Sequence, residues 1–328
     1  MSMQKEKLTE FNNVTEPLAS VVKRLGNPVS SILLNLPCCI FRIPEVDGII
    51  GYQKVKNCAV VIGDPICLPQ NIDSLTRAFQ FYCQKQNLTI VYLLASDSFA
   101  HWGINNGFQT LIQVGQKLII NPTKFQKRQK LRWKINQSLQ NGVIVKEYKN
   151  FDPSIENQIR ITTNIWLKNK NGPQIYLGNL SPLFNDKGQR FFYALQKDRI
   201  IGLLNLSRID RFQGWVVNSF LAISDAPVGT TEHLFSSIIE TLGNEGCHFL
   251  CLGAVSGSNL GEMVGLNPFS KYMAHLIFKI AKWFFKLEGR KTYLNKYHPH
   301  FNPTYFLISG KLTLKELMAI KEVLNVTL

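Results

Sequence analysis

The chain has 328 residues, of which 45% are hydrophobic and 18% are charged, so it has ample apolar material for one large core or two ordinary ones. Lysine and arginine number 37 against 22 aspartates and glutamates, which gives a formal charge of +15. This surplus favours a polyanionic partner, either nucleic acid or an anionic membrane. The first residues lack the apolar run of a signal peptide, and longer apolar stretches are broken by lysines. We therefore expect a cytoplasmic protein that can associate peripherally with the inner face of the cell membrane.

The first half of the chain reads as a strand-rich α/β pattern. A lead-in over residues 1–30 contains one predicted helix, Glu16 to Leu25, which Gly26 and Pro28 end. Short apolar runs between turn residues then predict strands, and apolar residues at spacings of three and four predict helices. The strands are expected at Cys39 to Ile43, Ile49 to Tyr52, Cys58 to Ile62, Leu88 to Ala95 and Leu118 to Ile120, and the helices at Asp73 to Gln86 and Phe99 to Gly107.

The second half repeats this mixture of elements. Two strands are expected to pair around the turn Lys197-Asp198, and Gly253 to Gly265 is glycine-rich and polar, which predicts a loop. A split at about residues 145–155 predicts two domains, 31–150 and 151–328, the second carrying the active site. The other predicted elements are helices at Glu156 to Lys168, Thr230 to Leu242, Tyr272 to Leu287 and Thr313 to Val323, and strands at Gln189 to Leu195, Arg199 to Leu206, Gly214 to Ala222, Phe249 to Leu252 and Tyr305 to Ile308.

The cysteines form an odd set of seven with no C-x-x-C pair and no companion histidine spacing for zinc. We interpret them as reduced thiols in the core, and we expect no metal site. They are Cys38, Cys39, Cys58, Cys67, Cys83, Cys247 and Cys251.

Several short motifs occur in an order and spacing that together resemble one known family. The first half carries Val61-Ile62-Gly63-Asp64-Pro65 and Lys130-Leu131-Arg132 with Asn136. The second half carries Trp166-Leu167-Lys168, Gly214-Trp215, Ala226-Pro227 with Gly229-Thr230, Leu252-Gly253-Ala254, and Lys296-Tyr297-His298-Pro299 with Pro303 and Tyr305. These motifs resemble the C-terminal catalytic domain of bacterial phosphatidylglycerol lysyltransferases, the cytosolic part of the multiple peptide resistance factor.

The resemblance implies an α+β fold of two tandem GNAT-like domains, each a mixed, mostly antiparallel sheet flanked by helices, as in the Fem aminoacyltransferases. It also implies transfer of an amino acid from aminoacyl-tRNA to phosphatidylglycerol or another hydroxyl or amine acceptor, without a cofactor. The sequence departs from the family at Phe301-Asn302-Pro303-Thr304, where Trp-Glu-Pro-Arg is usual, and at Asn218, where an aspartate is common. Leu221-Ala222 stands where arginines often follow.

An aminoacyl ester is already activated, so its transfer needs positioning, oxyanion stabilisation and help with one proton. His298 and His300 are the candidates for handling the proton, and Lys296 for holding a phosphate or an oxyanion. The alternative is a surface loop with two ordinary histidines. Substrate binding is assigned to Glu232, Asn218, Gly229, Thr230 and Tyr305, with Glu232 recognising the α-amino group of the donor or merely capping its helix.

Two alternatives to tRNA-dependent transfer follow from the same residues. A GNAT-like scaffold permits an acyl- or acetyl-coenzyme A donor, although the segment before Thr230 has a single glycine where coenzyme A enzymes are glycine-rich. The other alternative is a catalytically idle protein that binds RNA or membrane, since the glutamate and arginine usual near residues 302 and 304 are missing.

The most basic segment, Lys124 to Lys134, is predicted to be a helix that continues to about Asn141. Its functional interpretation is binding of the tRNA backbone, and a solvated charged face is the alternative. Trp133 and Phe125 are expected to lie in the core rather than to stack on bases. The residues assigned to tRNA are Lys127, Lys130 and Lys134 on one face, and Arg128 and Arg132 on the adjoining one.

The predicted helix Tyr272 to Leu287 is strongly apolar and carries Lys279, Lys282 and Lys286. A cationic amphipathic helix of this kind can lie in the interface of an anionic membrane. A buried packing helix explains its apolar residues as well and is the preferred interpretation. At 16 residues the stretch is too short to cross a bilayer comfortably.

Overall fold

A computed structural model describes residues 16–35, 37–169, 188–284 and 288–324 of the protein. Within these ranges the strands join into one mixed sheet of 13 strands. The strands are β1 (Cys39–Phe41), β2 (Gly48–Val55), β3 (Cys58–Ile62), β4 (Ile66–Cys67), β5 (Thr89–Ser96), β6 (Thr110–Ile120), β7 (Ile144–Tyr148), β8 (Gln189–Gln196), β9 (Arg199–Ile209), β10 (Gly214–Ala222), β11 (Leu250–Ser256), β12 (Met263–Val264) and β13 (His300–Ile308).

The strand order is β1-β2-β3-β5-β13-β6-β11-β10-β9-β8-β7, with β4 beside β2 and β12 beside β6. Two pairs are parallel, β3 with β5 and β10 with β11, and the other pairs are antiparallel. The parallel pairing of β10 with β11 is short and joins only Trp215 to Leu250 and Val216 to Cys251. Beyond these residues the two strands are no longer paired, although β10 continues to Ala222 and β11 to Ser256.

Helices cover both faces of this sheet. They are α1 (Leu18–Leu25), α2 (Ile72–Lys85), α3 (Asp97–Asn105), α4 (Gln129–Gln140), α5 (Pro153–Lys168), α6 (Thr230–Asn244), α7 (Pro268–Phe284), α8 (Glu288–Leu294) and α9 (Leu314–Val323). Helices α2 and α3 bury Phe79 and Phe99 in one core, and α9 packs its Ile320 against the opposite face of the same strands. Helices α4 and α6 close the largest core of the second half, and α5 covers the face opposite α6.

Local signals explain several element boundaries. Asp152 accepts hydrogen bonds from the first N–H groups of α5, and a capping box of Thr313 and Glu316 starts α9. The predicted turn between β8 and β9 is present, with Lys197 and Asp198 both at positive φ, as a two-residue hairpin turn requires. The predicted fold class, a mixed and mostly antiparallel α+β arrangement flanked by helices, is confirmed.

The predicted loop Gly253 to Gly265 is partly wrong. Its first residues extend β11 to Ser256, and Met263–Val264 forms β12. Both segments pair with β6, which is itself much longer than the predicted Leu118 to Ile120. Pairing along one long partner strand therefore overrides the glycine and serine content of this segment.

The cysteine prediction holds for five of the seven residues. Cys58, Cys67, Cys83, Cys247 and Cys251 are buried and all seven are free thiols. Burial raises the pKa of Cys83 to about 12, so its thiol stays protonated and unreactive at neutral pH. Cys39 is exposed and Cys38 half-buried, because they lie at β1 on the outer edge of the sheet.

Strand β13, although late in the sequence, lies in the part of the sheet that the first half of the chain builds. Strand β13 is inserted between β5 and β6 and pairs with both of them. The division into domains 31–150 and 151–328 remains a prediction, and this crossover means that residues 300–308 complete the sheet built by the first half.

Candidate active site

A cavity of about 670 Å³, called here the basic cavity, opens beside the end of β6 and the start of α4. It brings together side chains that the sequence placed in different roles. Both candidate catalytic histidines and three of the five predicted tRNA-binding residues line it. Its lining includes Lys124, Lys127, Arg128, Arg132, Glu240, Tyr297, His298 and His300.

The two histidines owe their position to a tight turn before β13. A single 3-10 turn, Asn295–Tyr297, ends at His298, whose φ of +50° is left-handed. Pro299 follows, and His300 is the first residue of β13. Tyr297 is buried and anchors the turn in the core under α6, so both exposed imidazoles are held at the mouth of the basic cavity.

The basic segment does not form the predicted helix from Lys124. Pro122–Lys124 is a 3-10 turn capped by Asn121, Phe125 is extended, and α4 begins only after Arg128. Lys127 therefore does not share a helical face with Lys130 and Lys134. The extended stretch turns Lys127 and Arg128 into the cavity, where Lys127 Nζ lies 2.6 Å from Glu240.

Three other predictions for this segment need correction. Lys130 and Lys134 lie on α4 but are not among the side chains that line the basic cavity. Trp133 is 56% exposed rather than buried in the core, and the ammonium group of Lys134 lies 5.0 Å from the centre of its ring. Phe125 is half-buried and packs against Tyr297 at 6.3 Å between ring centres, so its predicted core position holds in part.

A second cavity of about 530 Å³, called here the apolar cavity, lies at the N-terminus of α6. The unpaired end of β10 forms its floor, and α5 and α8 contribute aromatic side chains. None of the described residues that line it carries a charge. They are Trp166, Phe220, Leu221, Ala222, Ile223, Ala226, Pro227, Val228, Gly229, Thr230, Thr231 and Tyr293.

Gly229 starts α6 at a φ of +89°, a conformation that side-chain-bearing residues rarely adopt. A Cβ at this position would lie 1.9 Å from the carbonyl oxygen of Lys134, which means that α4 and α6 are in backbone contact here. Gly229 has no side chain, so its predicted role in substrate binding can come only from its backbone, which forms part of the cavity wall. Thr230 is buried and its hydroxyl donates to the Pro227 carbonyl oxygen at 2.7 Å.

Gly229→Ala should destabilise the fold by about 3 kcal/mol, because it adds a steric clash to the backbone strain. Gly142→Ala is the matched control, since Gly142 also has a positive φ of +72° but no atom within 4 Å of an added Cβ. It should cost only about 1 kcal/mol. Urea unfolding of both variants measures the difference, and equal losses would contradict the close contact of α4 with α6.

An ion pair joins the first turn of α6 to the turn before the histidines. Lys296 Nζ lies 2.7 Å from Glu232 Oε1, and the Thr231 hydroxyl donates to Glu232 Oε2 at 2.8 Å. The side chain of Glu232 is 7% exposed and that of Lys296 is 42% exposed. Burial raises the pKa of Glu232, but the hydrogen bonds from Lys296 and Thr231 outweigh it and hold the pKa below its usual value. Glu232 is therefore an anion at neutral pH.

Two tyrosines link the cavities. Tyr293 lines the apolar cavity, Tyr297 lines the basic cavity, and their hydroxyl oxygens are 3.2 Å apart. Lys296 Nζ lies 4.4 Å from the ring centre of Tyr293. The ion pair of Glu232 with Lys296 consequently lies at the boundary between the two cavities.

Two predicted substrate-binding residues lie elsewhere. Tyr305 is buried, its hydroxyl donates to Asp97 Oδ1 at 2.8 Å, and it packs in the core under α3. Asn218 is exposed at a bulge in β10, where its amide donates to the Ser207 hydroxyl. The structure brings neither residue to the two cavities.

Lys117 is a candidate that the sequence analysis missed. It is 7% exposed on β6, between Ala254 on β11 and Asn302 on β13, and its side chain makes no hydrogen bond or ion pair with a described residue. Its pairing partner Asn302 lies two residues after His300 on β13, so the side chains of Lys117 and His300 are on the same face of the sheet. A lysine that directly precedes the apolar run Leu118 to Ile120 is the signal that could have revealed it.

Helix α7 exposes an apolar stripe, which overturns the preferred interpretation of a buried packing helix. Trp283 is 80% and Phe269 71% exposed, and Tyr272, Leu276, Ile277 and Ile280 are exposed beside them. Lys279 is exposed, and Lys282 Nζ reaches the Ser258 carbonyl oxygen at 2.6 Å. Lys286 lies outside the described residues. In the described part of the chain, no helix has the length and hydropathy needed to span a bilayer.

In the described ranges, histidine, cysteine and acidic side chains nowhere gather in threes as a metal site would require. The two cavities instead offer cations, imidazoles, one buried carboxylate and an apolar wall. These groups are suited to bind an anionic polymer and to transfer one proton.

Two solved structures share the fold of this chain over nearly its whole length. The chain is similar to L-PGS from Bacillus licheniformis, with a TM-score of 0.77 at 18% identity over 93% of this chain and 94% of the other. It is equally similar to the C-terminal domain of a lysylphosphatidylglycerol synthetase from Agrobacterium fabrum, with a TM-score of 0.76 at 16% identity over 94% and 98% of the two chains. The fold is also shared with FemX, with a TM-score of 0.54 at 9% identity over 90% of this chain and 92% of the other.

The family follows from the sequence as a whole. Residues 21–308 match the family model described as phosphatidylglycerol lysyltransferase, C-terminal, and the chain belongs to this family. Among curated relatives, it is 21% identical to a phosphatidylglycerol lysyltransferase of Staphylococcus epidermidis over 92% of this chain and 36% of the relative. It is 20% identical to the phosphatidylglycerol lysyltransferase of Staphylococcus haemolyticus over 86% of this chain and 34% of the relative. The chain thus spans about a third of the length of these relatives.

Proposed function

We propose that this chain transfers an amino acid from aminoacyl-tRNA to phosphatidylglycerol or a closely related anionic lipid. The observation that carries the proposal is the basic cavity, which gathers Lys127, Arg128 and Arg132 with His298 and His300 around one opening. Family membership supports the acceptor, because the relatives are named phosphatidylglycerol lysyltransferases.

The chemistry needs one acyl transfer and one proton transfer. The hydroxyl oxygen of the acceptor attacks the ester carbonyl carbon, and the bond from that carbon to the ribose oxygen of the tRNA breaks. One of the two imidazoles, His298 or His300, takes the acceptor proton and returns it to the departing ribose oxygen. Glu232 holds the α-ammonium group of the donor, and Lys296 holds Glu232 in place at 2.7 Å.

The cations of the basic cavity have a separate task. The side chains of Lys124 and Arg128 are exposed there and make no hydrogen bond or ion pair with a described residue, so both are available to phosphates. Single-stranded nucleic acid is held largely through such contacts, with counterion release as the driving force.

Coenzyme A is disfavoured as the donor because a carboxylate already lies at the N-terminus of α6. In an acetyltransferase this helix end would bind the pyrophosphate. Here the buried Glu232 carboxylate already places a negative charge in the first turn of α6. A second anion at the same helix end would meet that charge.

We assign binding of the membrane surface to α7. Its exposed stripe of Phe269, Tyr272, Leu276, Ile280 and Trp283 runs along one side of the helix at spacings of three and four. Lys279 lies beside it and the whole chain carries a charge of +15, which fits an anionic lipid surface.

Purified protein, charged tRNA and vesicles that contain phosphatidylglycerol provide the direct test. We expect a ninhydrin-positive lipid that depends on all three components. Calorimetry with acetyl-coenzyme A should give no heat of binding. Formation of the lipid without tRNA, or tight coenzyme A binding, would contradict the proposal.

Arg128→Gln and Lys124→Gln should each weaken tRNA binding about equally for all tRNAs. Each should also reduce the slope of log K against log salt by about 0.7 to 0.9, because one phosphate contact is lost. Lys85→Gln on α2, an exposed lysine remote in sequence and fold from the cavity, is the control and should leave both quantities unchanged. Filter binding over a range of salt concentrations measures them, and an unaltered slope for the cavity variants would remove this cleft from tRNA binding.

A further inference from the structure

Three carboxylates at or beside the two cavities, among the residues that the structure describes, are each paired with a cation. Glu240 lines the basic cavity and lies 2.6 Å from Lys127 Nζ. Glu232, at the boundary, lies 2.7 Å from Lys296 Nζ. Asp225, next to the Ala226 wall of the apolar cavity, lies 2.9 Å from Arg199 Nη1. Strand β10, which floors the apolar cavity, carries no acidic residue from Gly214 to Ala222.

Glu232 would take the α-ammonium group of the donor, so a lysyl or arginyl side chain would find no second carboxylate among the described lining residues except Glu240, which it would have to share with Lys127. In the basic cavity its cation would also meet Lys124, Lys127, Arg128 and Arg132. In the apolar cavity it would meet a wall of aliphatic, aromatic and threonine side chains with no charged group among the described residues. Both placements are unfavourable for a cation, because transfer of an unpaired charge out of water is costly and like charges repel.

The apolar cavity suits a neutral side chain instead. Leu221, Ala222, Ile223 and Val228 offer aliphatic contacts, and the Thr231 hydroxyl lies on the wall nearest to Glu232. The carboxylate of Glu232 retains lone pairs beyond its bonds to Lys296 and Thr231, and these can accept the α-ammonium group. An aminoacyl group can thus direct its ammonium at Glu232 and its side chain into the apolar cavity.

We propose that the amino acid transferred by this chain is uncharged, and that its side chain occupies the apolar cavity between β10, α5 and α8. The inference rests on the proposed function, since it names the donor class for that reaction. It sets this chain apart from its relatives, which are named for the transfer of lysine.

One tRNA body charged in turn with alanine, valine and lysine isolates the contribution of the side chain, because all tRNA contacts are then the same. With vesicles of phosphatidylglycerol, we expect kcat/KM for alanine or valine to exceed that for lysine at least tenfold. Preferred transfer of lysine would overturn this inference and leave the proposed function standing. Absence of transfer from every charged tRNA would overturn the proposed function and the inference with it.

Val228→Asp tests the location of the side chain. Val228 lines the cavity and is 57% exposed, so the wall tolerates a polar residue there. The new carboxylate should raise the ratio of lysine to alanine transfer at least tenfold. Val228→Asn, which has the same shape without the charge, should keep the wild-type ratio whatever its overall rate. An equal ratio in the two variants would place the side chain outside the apolar cavity and overturn the proposal.

Discussion

Glu232→Gln is expected to reduce kcat/KM for amino acid transfer about a hundredfold, which corresponds to roughly 2.7 kcal/mol of lost transition-state binding. The amide has the same shape and can still accept from the Thr231 hydroxyl. It has no charge with which to attract the α-ammonium group of the donor or to form an ion pair with Lys296. Steady-state kinetics with charged tRNA and lipid vesicles measure the loss.

The same variant should alter stability in a pH-dependent way. The pKa of Glu232 is held below its ordinary value of 4.5, so its ionised form stabilises the fold above that pH. We expect the wild type to exceed Glu232→Gln by about 1 kcal/mol at neutral pH, since solvent around the 42% exposed Lys296 screens the pair. The difference should shrink as pH falls through the lowered pKa, and urea unfolding at several pH values measures it.

Glu147→Gln is the matched control for both effects. Glu147 pairs with Arg190 at 2.6 Å with similarly low exposure, but it lies on β7 and lines neither cavity. It should lose stability and keep its activity. If Glu147→Gln lowered kcat/KM as strongly as Glu232→Gln, the loss would reflect general destabilisation and Glu232 would have no special part in transfer.

Trp283→Asp and Ile280→Asp on α7 should each lower binding to vesicles of phosphatidylglycerol at least tenfold. Burial of such a side chain in the lipid interface contributes on the order of 1.5–3 kcal/mol, and 1.4 kcal/mol is a factor of ten. Lys279→Gln should cost about 1 kcal/mol, and only on anionic vesicles. Cosedimentation with anionic and neutral vesicles separates the two contributions.

Phe151→Asp controls for the general effect of a new charge. Phe151 is 77% exposed, close to the value for Trp283, but it lies before α5 and not on α7. Its substitution should leave vesicle binding unchanged. Equal losses for Phe151→Asp and Trp283→Asp, or no loss for the α7 variants, would show that the exposed stripe does not meet lipid.

Elements with strong local signals could be predicted from the sequence. The hairpin of β8 and β9 follows from Lys197-Asp198 between two apolar runs, and α6 follows from its regular apolar spacing. Prediction failed where a distant partner decides the conformation. Met263–Val264 becomes a strand only because β6 lies beside it. The position of Lys127 was missed for a local reason, because Asn121 and Pro122 start a separate turn before α4.

In the candidate site, too, single residues could be predicted from the sequence but their spatial relation could not. His298, Lys296 and Glu232 could be named as single residues from their chemistry and the family resemblance. Their relation could not, because the ion pair joins residues 64 positions apart in the sequence. The exposure of the α7 stripe was missed for a related reason, since apolar spacing is the same for a helix that packs on protein and for one that faces outward.

The insertion of β13 between β5 and β6 has a consequence for how the protein comes into being. On the ribosome, β5 and β6 emerge long before residues 300–308, so the gap between them stays open until those residues have been synthesised. His300 is the first residue of the strand that fills this gap. The step that closes the sheet therefore also brings an imidazole to the basic cavity, and the candidate site is assembled only when that strand is in place.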